Sequence, residues 1–189
     1  MTLVTAAFLA TAFAIHALVG AALGALLFDR PAVGAVAGLA ADADFLFPAA
    51  LGWPFVHRGI THSLPALVAL AGLAVAVRHA LDAPGNRRSA GATVAVAYGS
   101  HLLIDVTTPE GIPPLSPFSD RIVHLALPTT GHSPIPTLVL WAASLWALSR
   151  TGALGSLDHV VDEIVRHPYG LLWWWVLVSM LLPVLPRLH

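Results

Sequence analysis

Long apolar runs, broken by short polar clusters, dominate the chain. Residues 2–28 are apolar except for Thr2, Thr5, Thr11 and His16, and a helix needs about 20 such residues to cross a membrane. This first run lacks the positive start of a signal peptide, so we expect it to remain in the mature protein. Four further apolar runs cover residues 64–77, 90–104, 135–148 and 169–184. The pattern predicts an all-α membrane bundle of about five helices.

The segments between the runs predict shorter elements. Residues 31–41 are small and apolar and predict a short helix. Pro65 fits the first turn of a helix that is capped by Ser63. Residues 107–117 are rich in Pro and Gly and predict a loop, whereas residues 157–165 predict an amphipathic helix on the membrane surface. The three central runs are shorter than a full span, so their ends are expected either to meet a thinned bilayer or to rise into a polar cap.

Composition supports a membrane location. Hydrophobic residues make up 57% of the chain, charged residues make up 10%, and the mean hydropathy is +0.80. A soluble domain is roughly 45–50% apolar and about 25% charged, so a chain this poor in charge is not expected to be a core of soluble helices. We expect one membrane-embedded domain over residues 1–189, with a motif-bearing core at 1–119 and C-terminal helices at 134–189.

Charge and cysteine content exclude several functions. All nine basic residues are arginine and form no basic tract, so the sequence has no nucleic-acid footprint. The chain has no cysteine, which excludes disulfides and thiolate metal sites. A bound metal would therefore depend on carboxylates and on the ten histidines.

The arginine distribution predicts a multi-pass protein of the cell (inner) membrane with a defined orientation. Positive residues are enriched on the cytoplasmic side. The loops after the second and fourth runs are therefore expected in the cytoplasm, since they carry Arg78, Arg87, Arg88, Arg150 and Arg166. Five spans then place the N-terminus inside. The end of the first run, the start of the second and the end of the third would share the non-cytoplasmic face, where the candidate site residues cluster.

His101 and Asp105 lie four residues apart in the third run. On a helix this spacing puts both side chains on one face, where they can bind one metal ion or where Asp105 can bridge two. A charged residue inside a membrane helix costs about 2.5–3.5 kcal/mol on insertion scales. Such a residue is retained when its charge is compensated, which favours a metal site. A capping Asp beside a hydrogen-bonded His is the alternative.

The densest polar cluster is the run His-Arg-Gly-Ile-Thr-His-Ser at residues 57–63. It lies directly before a predicted helix, where free N–H groups favour anions. His57 and His62 can ligate a metal, and Arg58 can bind a phosphate or carboxylate through two hydrogen bonds. Gly59 permits a tight bend. A polar interfacial loop is the alternative.

Two further groups of residues complete the candidates. Asp42 and Asp44 would share one side of an extended segment, and their hard oxygen atoms complement imidazole in zinc or manganese sites. Two solvated loop acids are the alternative. His16 lies inside the first run, where a hydrogen bond between helices is the alternative to metal binding. His124 and His132 are weaker candidates that could line the cleft.

These motifs resemble those of a known family. In order along the chain they are His16, Asp42-Ala43-Asp44, the run at 57–63, and His101-x-x-x-Asp105-x-x-Thr108-x-x-Gly111. This series is similar to that of the YdjM-like family of membrane-bound metal-dependent hydrolases, over the chain up to about residue 119. One departure is Ala41, where that family usually has Pro.

The YdjM-like family in turn resembles the zinc-dependent phospholipase C and single-strand nuclease superfamily of all-helical enzymes. The resemblance implies a main metal site formed by Asp44, His62, His101 and Asp105. It also implies that Asp105 bridges to a second metal held partly by His16. The further ligands of the soluble enzymes are not evident here, so we expect one or two divalent ions, zinc or alternatively manganese.

The function expected from these features is metal-dependent hydrolysis of a phosphoester, with a small or lipid-linked substrate taken from the membrane. The candidate catalytic residues are Arg58, Asp42 and Thr108. The candidate metal ligands are His16, Asp44, His57, His62, His101 and Asp105. Thr61, Ser63 or Thr108 are expected to hydrogen-bond to ligands. A metal-ion transporter or sensor, and a membrane scaffold with a structural metal, are the alternatives.

Overall fold

The computed structural model describes residues 3–81 and 87–155. The helices are α1 (Leu3–Phe28), α2 (Pro31–Leu39), α3 (Leu64–Ala80), α4 (Arg87–Asp105) and α5 (Pro134–Arg150). Three short 3-10 segments lie between α2 and α3, at Ala40–Leu46, Ala49–Leu51 and Ile60–His62. No strand is present in the described part, which has an isolated antiparallel bridge between Ile112 and Val123. The all-α prediction is confirmed for these residues.

Each predicted run within the described residues corresponds to a helix. α3 begins after Ser63, whose side chain accepts a hydrogen bond from the Ala66 N–H, and Pro65 lies in its first turn, as predicted. The short helix expected at 31–41 ends at Leu39 and continues as the 3-10 segment Ala40–Leu46. The elements predicted at 157–165 and 169–184 lie outside the described residues.

One described helix meets the length and composition needed to cross a membrane. It is α1, over Phe8–Phe28. α3 is apolar but has 17 residues, which rise about 26 Å and fall short of a hydrocarbon core of about 30 Å. The number of spans, expected to be five, therefore stays a prediction.

α4 lies at the centre of the bundle and contacts α1, α2 and α3, while α1 also contacts α5. The interfaces are built from small and medium side chains, which let the helices approach closely. Ala37, Val94 and Ala97 form one cluster against α3, and Ala21, Ala22, Ala25, Ala147 and Leu148 form another between α1 and α5.

Four glycines join α1 to α2. A Cβ atom on Gly20 would lie 2.3 Å from the Gly34 carbonyl oxygen, and one on Gly34 would lie 2.1 Å from the Gly20 oxygen. A Cβ atom on Gly24 would lie 2.5 Å from the Arg30 carbonyl oxygen, and one on Gly38 would lie 2.4 Å from the His16 carbonyl oxygen. In each helix the two glycines are four residues apart and share one face.

The glycine contacts fix the direction of α2. Its start lies beside Gly24 and its end beside His16, so α2 runs antiparallel to α1. Its nine residues return the chain by about 13 Å towards the middle of α1. The end of α1 instead packs near Ala153, at the end of the bundle where α5 finishes. The expectation that the end of α1 shares one face with the candidate site is wrong, because α2 returns the chain from that end towards His16.

This arrangement changes the predicted orientation of α1. Arg30 lies at the same end of the bundle as Arg150, away from His16. If positive residues mark the cytoplasmic side, the start of α1 lies on the non-cytoplasmic side with the candidate site. This is the reverse of the N-terminal orientation expected from five alternating spans.

Gly34→Ala should destabilise the protein, because the new methyl group meets backbone atoms that cannot move aside. Overpacking of this kind costs about 1–3 kcal/mol. Thermal unfolding in one detergent, followed by circular dichroism, would measure the loss. Gly72→Ala is the matched control, since nothing lies within 4 Å of its added Cβ, and it should be neutral or stabilising. Equal melting temperatures for the two variants would contradict the close contact between α1 and α2.

Cysteine labelling should test the direction of α1, because the natural chain has no cysteine. Single cysteines at the exposed positions Ala32, Asp120 and Thr151 report both ends of the bundle. We expect Ala32→Cys and Thr151→Cys to react with a membrane-impermeant maleimide from one side, and Asp120→Cys from the other. Labelling of Ala32→Cys together with Asp120→Cys would show that the return segment is misplaced.

Candidate metal centre

The 3-10 segment Ala40–Leu46 brings two carboxylates to the site from different directions. Asp42 lies 3.8 Å from Nε2 of His62 through its Oδ1 atom, whereas Asp44 lies 3.1 Å from Nδ1 of the same ring through Oδ2. The two acids therefore contact opposite edges of one imidazole. The expectation of an extended segment is wrong: with about three residues per turn, Asp42 and Asp44 cannot share one side.

Asp44 organises the run at residues 57–63. Its carboxylate accepts hydrogen bonds from the Arg58 backbone N–H at 2.9 Å, from the Thr61 hydroxyl at 2.8 Å and from His57 Nδ1 at 3.0 Å. Burial alone would raise the pKa of Asp44, but the hydrogen bonds from His57 and His62 hold that pKa well below its ordinary range. With so many donors already bound, Asp44 is placed to orient ligands. Its predicted role as a ligand itself stays a prediction.

The backbone of this run is tightly constrained. Arg58 adopts a positive φ of 59°, a conformation that costs a non-glycine residue about 1 kcal/mol or more. Its N–H bond to Asp44 holds that conformation. A Cβ on Gly59 would lie 2.1 Å from the Pro54 carbonyl oxygen, so the next position accepts no side chain. Tyr98 donates its hydroxyl to the Thr61 carbonyl and ties the run to α4.

His62 and His101 present nitrogen atoms to one oxygen of Asp105. His101 donates its Nδ1–H to the Gly38 carbonyl at 2.7 Å, and the contact of His62 Nδ1 with Asp44 fixes the same tautomer. In the neutral form of each ring, the Nε2 atoms then carry lone pairs that can bind a metal. They lie 3.3 Å from each other and 3.2 and 3.4 Å from Asp105 Oδ2. Ligands bound tetrahedrally at the zinc–nitrogen distance are about 3.3–3.4 Å apart, so these spacings fit a metal ion.

The other oxygen of Asp105 faces a second pair of histidines. His16 Nε2 lies 3.4 Å and His132 Nε2 lies 3.6 Å from Oδ1, and the two nitrogens are 3.2 Å apart. The His16 ring also stacks on His101 at 3.6 Å between centroids. Asp105 thus joins histidines from α1, from α4 and from the loops before α3 and α5.

Arg58 carries the positive charge beside these carboxylates. Its guanidinium donates hydrogen bonds to the Thr108 hydroxyl and, at 3.3 Å, to the Gly111 carbonyl oxygen. It also lies 3.6 Å from Asp105 Oδ1 and 3.7 Å from Glu110. Thr108 in turn donates its hydroxyl to the Asp105 carbonyl at 2.8 Å. The guanidinium is therefore fixed at the edge of the cluster with one face partly exposed.

The pKa values of several groups in the cluster are shifted by burial and by the neighbouring carboxylates. Burial raises the pKa of Asp42 above its ordinary value. Burial alone would lower the pKa of His62, but its contacts with Asp105 and Asp44 raise that pKa to about 9. A group that holds a proton this tightly lies where a cation is favoured. Burial lowers the pKa of His132 and favours the neutral imidazole, the form that binds metals.

The donor set fits a divalent metal. Two groups of side chains have ligand atoms within 4.8 Å of one another: His16, His101 and Asp105, and Asp42, His57 and His62. The cluster contains the carboxylates of Asp42, Asp44 and Asp105, and the Arg58 guanidinium lies 3.6 Å from Asp105 Oδ1. Its nitrogen and oxygen donors suit zinc, manganese and similar ions. These buried groups could hold a metal, whose identity and number stay predictions.

Part of the cluster lines a cavity of about 730 Å³. Asp42, Arg58, Asp105 and His132 are among its polar lining residues. Its apolar walls come from the first half of α1 and from the loops between α2 and α3 and between α4 and α5, through Phe8, Leu9, Phe13, Trp53, Val56 and Ile122. Phe8 and Ile122 are more than half exposed at its rim.

The structure brings all nine candidate residues into one region. His16, Asp44, His62, His101, Asp105 and Thr108 are buried there, Asp42 and Arg58 are half-buried, and His57 is exposed at the edge. The strongest addition is His132, which the sequence singled out only weakly. His124, its weak companion, is exposed and does not line the cavity. The Gly38 carbonyl was also missed, because a backbone acceptor leaves no signal in sequence.

The comparisons with known proteins agree with the observed series of motifs. No curated protein and no solved structure matches the chain. A family model described as YdjM inner membrane protein matches residues 4–186. The match covers nearly the whole chain and supports a location in the inner membrane; the likeness to zinc-dependent hydrolases stays a prediction. The chain belongs to the YdjM inner membrane protein family.

Proposed function

We propose that this protein is a membrane-bound metal-dependent hydrolase that cleaves a phosphoester carried by an amphiphilic, lipid-linked substrate. The observation that carries the proposal is the position of the His/Asp cluster. His16, Asp42 and Asp105 line a cavity that also contains Arg58, so that an anionic group can approach these candidate residues. A metal used only to hold helices together would have no need of such access.

The metal would be held by His62, His101 and Asp105, whose ligand atoms face one another and leave a fourth position open. When bound, a divalent ion in such a site supplies Lewis acidity and lowers the pKa of water towards neutrality. Asp44 and the Gly38 carbonyl fix the His62 and His101 rings so that Nε2 of each faces the site.

Arg58 would bind the anionic group of the substrate. Its guanidinium offers donors in a planar fork that matches phosphate oxygens. Thr108 is a positioning residue in this scheme, because its hydroxyl accepts from Arg58 and donates to the backbone of Asp105. Charge that develops on the phosphoryl oxygens during hydrolysis would be stabilised by the same guanidinium.

Asp42 would accept the proton released by the attacking water. Its carboxylate lines the cavity, whereas the Asp44 carboxylate is occupied by backbone, hydroxyl and imidazole donors. A general base must lie within reach of the reacting group, which favours Asp42 over Asp44.

The apolar walls of the cavity favour a substrate with a hydrocarbon part. Phe8, Leu9 and Phe13 line one side along α1, and Trp53 lies on another. Phe8 is 53% exposed and Trp53 is 44% exposed, so the rim is apolar where a membrane helix meets lipid. The phosphate of such a substrate would bind Arg58, and its hydrocarbon chain would pack against the apolar side chains of α1.

The transporter alternative finds less support. A transported ion needs polar groups along the whole path through the bilayer. The second half of α1, from Gly20 to Phe28, contains no polar side chain, and it packs on Ala147 and Leu148 of α5. In the described part of the chain the candidate ligands are confined to one end of the bundle.

Metal content should depend on Asp105. Detergent-purified wild-type protein is expected to carry one to two equivalents of zinc or manganese in elemental analysis, and Asp105→Asn should lose them. Removing the shared carboxylate leaves two pairs of imidazoles without their common partner. Asp120→Asn, in an exposed loop, is the matched control and should keep the metal. A wild-type protein that binds no transition metal, even after incubation with excess ion, would contradict the proposal.

Hydrolysis should depend on Arg58 without loss of metal. With a long-chain phosphoester lipid in mixed micelles, Arg58→Ala should lower kcat by about 10²–10³, the usual effect of removing a donor that stabilises developing charge. Arg121→Ala, an exposed arginine, should retain the wild-type rate. The metal content of both variants should equal that of the wild type. Undiminished turnover by Arg58→Ala would rule out its role in phosphate binding.

A further inference from the structure

The two oxygens of Asp105 face two separate sets of nitrogen atoms. Oδ2 lies within 3.4 Å of Nε2 of both His62 and His101. Oδ1 lies on the other side, within 3.6 Å of Nε2 of both His16 and His132. A carboxylate divided in this way between two nitrogen pairs is suited to contact two cations, one through each oxygen.

The spacing of the second set matches that of a metal site. Oδ1 of Asp105 and the Nε2 atoms of His16 and His132 form a triangle with sides of 3.2, 3.4 and 3.6 Å. Ligands at the zinc–nitrogen distance in a tetrahedral site are about 3.3–3.4 Å apart. Three such atoms form one face of a tetrahedron and leave a fourth position open.

Outside this triangle, the Arg58 guanidinium lies 3.6 Å from Asp105 Oδ1, which is too far for a hydrogen bond. Asp105 Oδ1 is buried, and no group in the described residues donates a hydrogen bond to it. Two neutral imidazole nitrogens 3.2 Å apart, as in His16 and His132, repel each other unless a proton or a cation lies between them. A buried acceptor beside two facing lone pairs is the arrangement that a cation would relieve.

The loop holds His132 in place. Gly131 donates its N–H to Thr107 Oγ1 at 2.8 Å, and Ser133 Oγ accepts from the Thr130 N–H at 3.1 Å. The His132 ring packs edge-on against His16, with 5.2 Å between ring centroids, and against Phe8 at 6.1 Å. Its orientation is therefore set by the fold on both sides.

We propose that His132 completes a second metal position with His16 and Oδ1 of Asp105, beside the position formed by His62, His101 and Oδ2. Its ligand is a divalent cation of the zinc or manganese class, since the donors are two imidazoles and one carboxylate oxygen. His16, Asp105 and His132 all line the cavity, so the open side of this position faces the space where substrate would enter. The inference rests on the proposed function for the presence of metal, and it adds His132 as a ligand of the second ion.

Metal stoichiometry tests the proposal directly. Full-length protein in detergent is stripped with a chelator, titrated with Zn²⁺ alone and followed by isothermal calorimetry and elemental analysis. Wild type should bind about two equivalents, and His132→Ala about one. His132→Asn, which keeps a polar side chain, should also bind about one, and it protects the test against misfolding of the alanine variant. His124→Ala is the matched control, because it removes an exposed histidine from the same loop, and it should bind two.

A spectroscopic signature separates a bridged pair from two independent sites. With Mn²⁺ as the probe, wild type should give the electron paramagnetic resonance spectrum of a spin-coupled pair, and His132→Ala the spectrum of an isolated ion. Two equivalents in His132→Ala, or one in the wild type, would overturn the second position and leave the proposed hydrolase intact. Absence of any metal in the wild type would overturn both.

Discussion

The buried carboxylate of Asp105 is the constraint around which the other parts of this structure are arranged. Taking a carboxylate out of water costs several kcal/mol unless it is paired or hydrogen-bonded. Here the compensation comes from three segments of the chain, through His16 in α1, Arg58 and His62 before α3, and His101 one turn earlier in α4. The bundle must therefore close around one end of α4, where Asp42 and Asp44 bring two further carboxylates to His62.

Backbone approach between α1 and α2 makes this closure possible. The glycines at the contact allow α2 to return beside α1, so that the Gly38 carbonyl reaches His101. A larger residue at Gly34 would push α2 outward and withdraw that acceptor from the ring. The close packing of α2 on α1 therefore helps to determine which ring nitrogen of His101 carries the proton. The 3-10 segment that follows α2 then delivers Asp42 and Asp44 to opposite edges of His62.

The cavity beside the cluster bears on whether the site is catalytic or structural. A closed cage of histidines and acids would be consistent with a structural metal, whereas this cluster lies beside an open volume with an apolar wall and a partly exposed guanidinium. The inner-membrane family to which the chain belongs is consistent with a substrate that arrives from lipid. The split carboxylate of Asp105 further places two sets of nitrogens next to each other at the point where that substrate would end.

The sequence by itself determined the helices, the family and most of the cluster. Each apolar run extends over many residues, so the sequence predicts α1 and α3 to α5. The HRGITHS run and the spacing of His101 and Asp105 indicate the chemistry. Only the tertiary structure decided which atoms meet. The direction of α2, the separate tasks of Asp42 and Asp44, and the approach of His132 to His16 depend on contacts between segments up to 116 residues apart. Such contacts follow from helix packing and backbone geometry, which no local pattern of hydrophobic and polar residues encodes.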